Sequence, residues 1–268
     1  MYSKESKRKH ILKIAIITIV LTIFTLFIAF WYVIINFRSI EINQFNKGLG
    51  GKTMDKETVL QRLQDAGLVA VVRAKNSEEA IKISDACLEG GCPSIELTFT
   101  VPGAHKVIEE LAVKYTKGEI LLGAGTVLDS ETARIAILSG ANYIVSPSFD
   151  LETAKLCNRY RVPYMPGCMT IKEVITAMEA GADIIKIFPA DLFGPAIIKD
   201  IKGPLPQAKL MPTGGVDVGN VDQWIRAGAV AVGAGSSLTA GAKTGDYAKI
   251  TATAKEFVAK IKEARASL

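Results

Sequence analysis

Four short stretches of the chain end alike: "LEGG" at 88–91, "LSGA" at 138–141, "EAGA" at 179–182 and "RAGA" at 226–229. In each, a glycine stands just past a helical turn, where a left-handed backbone closes the helix. Each stretch then leads into an apolar run. The runs that read as strands are 68–74, 94–100, 120–126, 143–147, 163–168, 184–190, 209–215 and 231–236. Many are continuously apolar, as parallel strands covered on both faces are. Between them lie segments of helical period, such as "SEEAIKISDACLEGG" and "ETARIAILSGA". A strand–helix–glycine unit repeated eight times predicts an α/β chain of the (β/α)8 TIM-barrel class. An open doubly wound sheet is the alternative, but no glycine-rich dinucleotide fingerprint comes after the first strand in "LVAVVRAKNSEEA".

The first 53 residues are a different kind of sequence. They hold eight basic against two acidic residues, so they carry +6 of a net +5, and the remaining 215 residues stand near −1. The basic character therefore belongs to a leader and gives no support for nucleic-acid binding. Residues 14–35, "IAIITIVLTIFTLFIAFWYVII", contain no charge. That run is long enough for a single transmembrane helix and too long for the apolar part of a cleavable signal. The lysine-rich flank would stay in the cytoplasm, placing the residues beyond Arg38 outside. The expected organisation is a basic flank and membrane helix over 1–42, a glycine-rich linker over 43–53, and a soluble α/β domain over 54–268, opening with a helix near 56–66.

Cys87, Cys92, Cys157 and Cys168 stand at irregular spacings in apolar surroundings, and the only histidines are His10 and His105. This reads as buried reduced thiols rather than a zinc site or disulfide framework.

Barrel active sites lie at the C-terminal ends of the strands. Two ionisable groups stand there inside apolar runs: Glu96 in "SIELTFT" and Lys186 in "ADIIKIFPA". One reading is a buried ion pair, which seldom improves on apolar residues because both ions lose water. The other is chemical. Desolvation lowers a lysine pKa, and a neutral amine attacks a ketone to form an imine. The protonated imine is an electron sink that makes a nearby C–C bond breakable, and Glu96 can move the protons. After strands seven and eight come "PTGG" (212–215) and "GAGSS" (233–237). Glycines there let backbone N–H groups approach a phosphate, and Thr213 and Ser236 add hydroxyls.

The region 54–268 resembles the 2-keto-3-deoxy-6-phosphogluconate (KDPG) and 4-hydroxy-2-oxoglutarate (KHG) aldolases. The stretches that carry the resemblance are "VAVVRA", "IELTFT", "GAGTV", "IVSP", "MPGCMT", "IKIFPA", "GPAIIK", "PTGGV" and "VGAGSSL", in that order. The resemblance implies a class I aldolase, without metal or other cofactor, assembled as a homotrimer and working in the cytoplasm. It would cleave 2-dehydro-3-deoxy-6-phosphogluconate to pyruvate and glyceraldehyde 3-phosphate, and 4-hydroxy-2-oxoglutarate to pyruvate and glyoxylate. By position, Lys186 is the Schiff-base lysine and Glu96 the general acid/base. Thr126 falls where the pyruvate carboxylate is held, and Pro147 and Phe188 line the pocket. Thr213, Gly214, Gly215, Gly235 and Ser236 fall at the phosphate site. Some members carry an arginine where this chain has Thr100, and that arginine grips the substrate carboxylate; Arg73, at the end of the first strand, could supply the missing charge, and the related phosphogalactonate aldolases stay open as a substrate class. A membrane-tethered trimeric scaffold built on an aldolase barrel is the competing function. A phosphosugar isomerase would leave the lysine of the sixth strand without a use.

Overall fold

The computed structural model describes residues 54–268. The chain divides into two units, Met1–Gly48 and Leu49–Leu268, and all the described residues belong to the second. The membrane helix expected over 14–35, its basic flank and the linker lie outside the described residues. Among the described residues no helix is long and apolar enough to cross a membrane.

Helix α1 (Lys56–Ala66) opens the unit. Asp55 caps it by accepting from the Thr58 N–H at 2.8 Å, and Gly67 ends it in the left-handed region at φ 68°. Then strands and helices alternate: β1 (Leu68–Val72), α2 (Ser77–Glu89), β2 (Ser94–Thr98), α3 (Ala104–Lys114), β3 (Leu121–Gly125), α4 (Ser130–Leu138), β4 (Tyr143–Val145) and α5 (Leu151–Tyr160). After them come β5 (Tyr164–Met165), β6 (Gly167–Cys168), α6 (Ile171–Glu179), β7 (Ile185–Ile187), α7 (Ala196–Lys202), β8 (Leu210–Pro212), α8 (Val221–Arg226), β9 (Val232–Ala234), α9 (Ser236–Thr239) and α10 (Tyr247–Ala266). The four repeated helix endings behave as their glycines require. Gly91, Gly140, Gly181 and Gly228 all have positive φ, between 86° and 107°.

All strand pairs are parallel. The order β5-β4-β3-β2-β1-β9 forms one arc and β6-β7-β8 the other. A bridge between Thr213 and Gly233 joins β8 to β9. β5 and β6 are one strand position interrupted at Pro166, which has no N–H to give the ladder but whose carbonyl still accepts from Lys186 N at 2.9 Å. The sheet therefore curls into a ring of eight strand positions, the eight expected from the sequence. The strands are shorter than that expectation at their C-terminal ends, because those residues turn out of the sheet into the loops that build the site.

Successive strand residues point to opposite faces of a sheet. One parity packs outward against the helices and forms the large core with Leu68, Ala70, Val72, Ile95, Leu97, Ile144 and Ile187. The other parity points into the ring. Its lower part is a second apolar cluster of Val69, Leu121, Tyr143, Val145, Met165, Ile184, Met211 and Ala231. Val59 and Leu63, one turn apart on α1, join that cluster and are each 1% exposed. They close the floor of the ring with the face an i, i+4 spacing creates.

Candidate active site

The inward parity continues upward from this floor and changes character. Above Ile184 comes Lys186, then Phe188; above Met211 comes Thr213; the inward residues of β2 are Ser94 and Glu96. Lys186 is 5% exposed and Glu96 1% exposed. The ion-pair reading of these two is corrected by the structure: they form no salt bridge with each other, and Glu96 Oε2 has no hydrogen-bond partner. A buried, unpaired carboxylate oxygen is costly, so packing alone does not account for it.

Glycine makes room for these side chains. The Glu96 carboxyl lies where a Cβ on Gly125 would stand. In the same way Thr213 occupies the space over Gly233, the Pro147 backbone the space over Gly167, and the Tyr143 ring the space over Gly123. The glycines of "GAGTV", "MPGCMT" and "VGAGSSL" are thus inward positions left empty for a neighbour on the next strand. The rest of "MPGCMT" is helix chemistry. Thr170 and Glu173 form a reciprocal capping box that starts α6, and its backbone N–H groups hold the Glu173 carboxyl below its usual range.

Lys186 Nζ lies 4.9 Å from the centre of the Phe188 ring, whose face attracts a cation. Phe188 in turn borders a cavity of about 200 Å³ at the C-terminal ends of the strands. Thr213, Gly214, Gly215, Gly235 and Ser236 line the same cavity, as does Arg73. Arg73 Nη1 lies 3.2 Å from where a Gly235 Cβ would be, so its guanidinium sits on the side of the expected phosphate site. Gly214 and Gly215 have φ of 98° and 69°, and the Asp191 side chain packs against both. This crowding, rather than a turn alone, demands two glycines in "PTGG".

The other expected residues do not line that cavity. Thr126 follows β3 with φ 57°, a left-handed backbone rare for a β-branched residue and typical of strained functional positions. Pro147 stands above Tyr143 and Val145 on the inward parity of β4. Thr100 is exposed, and its hydroxyl meets that of Thr98 at 2.7 Å. Gly233 and Ser237, the two ends of "GAGSS", line the cavity as well; sequence reasoning did not single out Val71, Val216 and Asp217, which also line it, nor Tyr143. Stepping two residues back from Arg73 would have found Val71. A larger groove, about 730 Å³, lies outside the ring between α2 and α10. It holds no inward strand residue.

The four cysteines are buried and free of disulfides. Burial pushes the thiols of Cys92, Cys157 and Cys168 up to about 12, so they are not thiolates near neutral pH. Among the described residues no cluster of His, Cys, Asp and Glu has the makings of a metal site.

A strand lysine and a strand carboxylate, both kept from water inside a curled parallel sheet and neither neutralising the other, are what a lyase working through an amine requires. Comparison with known proteins gives the family. The KDPG and KHG aldolase family model matches residues 59–253. A 2-dehydro-3-deoxy-phosphogluconate aldolase of Treponema pallidum (strain Nichols) is 30% identical over 202 residues, 74% of this chain and 95% of that protein. A 2-dehydro-3-deoxy-6-phosphogalactonate aldolase of Escherichia coli (strain K12) is 36% identical over 172 residues, 64% of this chain and 83% of that protein. The structure of a KDPG aldolase from Legionella pneumophila, with pyruvate captured as a covalent carbinolamine, superposes with a TM-score of 0.66 at 27% identity, covering 70% of this chain and 92% of that one. The chain belongs to the KDPG and KHG aldolase family. It is a class I aldolase, a carbon–carbon lyase.

Proposed function

We propose that this chain cleaves 2-dehydro-3-deoxy-6-phosphogluconate to pyruvate and glyceraldehyde 3-phosphate, and 4-hydroxy-2-oxoglutarate to pyruvate and glyoxylate. The observation that carries the proposal is the buried, unpaired Lys186 set against the Phe188 ring that borders the glycine-lined cavity. The Lys186 amine adds to the C2 ketone to give a carbinolamine, whose hydroxyl takes the proton held by Glu96 and leaves as water, giving a protonated imine and leaving Glu96 as the carboxylate. Glu96 takes the proton of the C4 hydroxyl while the C3–C4 bond breaks, and its electron pair moves into the imine to give an enamine. The aldehyde departs. Glu96 returns its proton to C3, and hydrolysis frees pyruvate and the amine. Thr126 holds the pyruvate carboxylate, with Thr100 beside it; Pro147 and Phe188 wall the pocket. Arg73, Thr213, Gly214, Gly215, Gly235 and Ser236 take the phosphate end.

Pyruvate with borohydride is expected to leave one reduced adduct per chain on Lys186, located by peptide mass. Labelling elsewhere overturns the mechanism. A second reading, 2-dehydro-3-deoxy-6-phosphogalactonate as the preferred substrate, is favoured by the 36% identity to the Escherichia coli enzyme. The ratio of kcat/KM for the two epimers decides between them. A homotrimer is supported by the exposed apolar side chains Leu128, Ile135, Leu138 and Leu151, and its mass by light scattering tests it. Attachment to a membrane rests on residues 14–35 alone; partition of the full chain into detergent tests it.

A further inference from the structure

Tyr143 is a buried titratable group that the proposed mechanism does not use. Its side chain is fully enclosed and its hydroxyl has no hydrogen-bond partner. Among the described residues, the members of the floor cluster other than Tyr143 carry no side-chain hydroxyl. A phenol is placed in such a core when its hydroxyl has work to do there, since phenylalanine fills the same space at no polar cost.

The register of the sheet says what that work is. Glu96, Gly123 and Tyr143 face one another across β2, β3 and β4. The Tyr143 ring leans over Gly123 with the hydroxyl-bearing carbon against the glycine. The Glu96 carboxyl leans over Gly125 from the opposite side. These two glycines are successive inward positions on one strand, about 6.6 Å apart at the rise of a parallel strand. The phenol from β4 and the carboxyl from β2 thus converge over the same side-chain-free strip of β3. Each brings a buried oxygen without a partner, Tyr143 Oη and Glu96 Oε2.

We propose that Tyr143 is a positioning residue whose hydroxyl donates to one bridging water that in turn donates to the Glu96 carboxylate from below, and so stabilises the charged form of the general acid/base. This rests on the assignment of Glu96 to that role. Donation to a carboxylate favours its charged form. Burial, then the neighbouring Glu96 and Cys92, push the phenol well above its ordinary range, so it keeps its proton to give. Lys186 on β7 points into the same ring interior, and Arg73 turns toward Gly235; Cys92, below β2, is a neutral thiol pushed up to about 12 by burial. Ser94 Oγ, one inward step below Glu96 on β2, is a further buried hydroxyl without a partner.

The test is the pH profile of kcat/KM for Tyr143→Phe, with wild type and Ser94→Ala beside it. Tyr143→Phe keeps the shape of the core, so the protein stays folded and pyruvate with borohydride still labels Lys186. Without the donor, the charged form of the Glu96 carboxylate is less favoured. The acid limb of the profile is expected to move up by about one pH unit, the size of one hydrogen bond to a charged group. The loss is expected in kcat rather than KM. An acid limb that stays in place in Tyr143→Phe overturns the proposal, as does one that moves only in Ser94→Ala. Failure of wild type to be labelled at Lys186 overturns the aldolase reading itself, and this proposal with it.

Discussion

The floor and the mouth of the ring are made by the same strands. At the floor the inward side chains are Val69, Leu121, Ile184, Met211 and Ala231. Two residues further along those strands they are Val71, Gly123, Lys186, Thr213 and Gly233. A single step of the strand's two-residue period converts a sealed apolar plug into a lined cavity. The floor is close-packed and capped by Val59 and Leu63 of α1, where substitution costs stability. The mouth carries unpaired polar groups that cost stability already, and there substitution costs chemistry. The two ends are therefore separable by experiment.

The sharpest break of the comparison is Lys186→Ala. The imine is the electron sink, so aldol cleavage is expected to fall to background and borohydride labelling to vanish. Lys186 has no salt-bridge partner among the described residues, so no counter-charge is stranded and the thermal midpoint is expected to hold or rise. An active variant, or one that unfolds, would place Lys186 with the floor.

Glu96→Gln keeps the shape over Gly125 and removes the proton carrier. Pyruvate labelling of Lys186 is expected to persist while turnover falls by about 10²–10⁴-fold. Equal loss of labelling and turnover would mean that Glu96 only shapes the pocket.

Leu63→Ala tests the floor from the other side. A buried leucine lost from a packed cluster costs about 2–5 kcal/mol. In a unit of this size each kcal/mol lowers the melting midpoint by about 2–4 °C. The kcat/KM of the folded protein, measured well below that midpoint, is expected to stay at the wild-type value. A fall in kcat at unchanged stability would show that the floor steers the mouth.

The eight strands, the helix before the first of them and the four glycine closures were legible because each rests on a local signal: an apolar run, a 3.6-residue period, or a glycine after a last turn. That Lys186 and Glu96 stand buried inside the ring was legible because a charge inside an apolar run has few structural uses. The interior glycines were not. Gly123, Gly125 and Gly167 read as loop or motif glycines, and their reason is the side chain or backbone of the neighbouring strand, contacts between residues well apart in the chain. Tyr143 was missed for a related reason: in an apolar run a tyrosine reads as core, and only the register reveals which carboxylate it faces. Asp191 escaped too, because nothing in "PADLF" announces that it packs against "PTGG".

That last contact changes how the phosphate end should be probed. A side chain at Gly215 would be forced into a left-handed backbone at φ 69°, with its Cβ 2.5 Å from Asp191 Cβ. Gly215→Val would therefore distort the loop whether or not a phosphate binds there, and a loss of activity would not report on recognition. Ser236→Ala avoids the strain. Ser236 is exposed at the start of α9, and its φ is not among the positive values. Removing one hydroxyl donor to a charged phosphate costs about 1.5–3 kcal/mol, about 10- to 150-fold in kcat/KM for a phosphorylated substrate. This is the smallest effect expected at the mouth, because the glycine N–H groups and Arg73 remain. For unphosphorylated 4-hydroxy-2-oxoglutarate the variant should match wild type, since that substrate reaches Lys186 without using this end of the cavity. Equal losses on both substrates would move Ser236 from recognition to support of the loop, and the phosphate end would then rest on Arg73, Gly214 and Gly215.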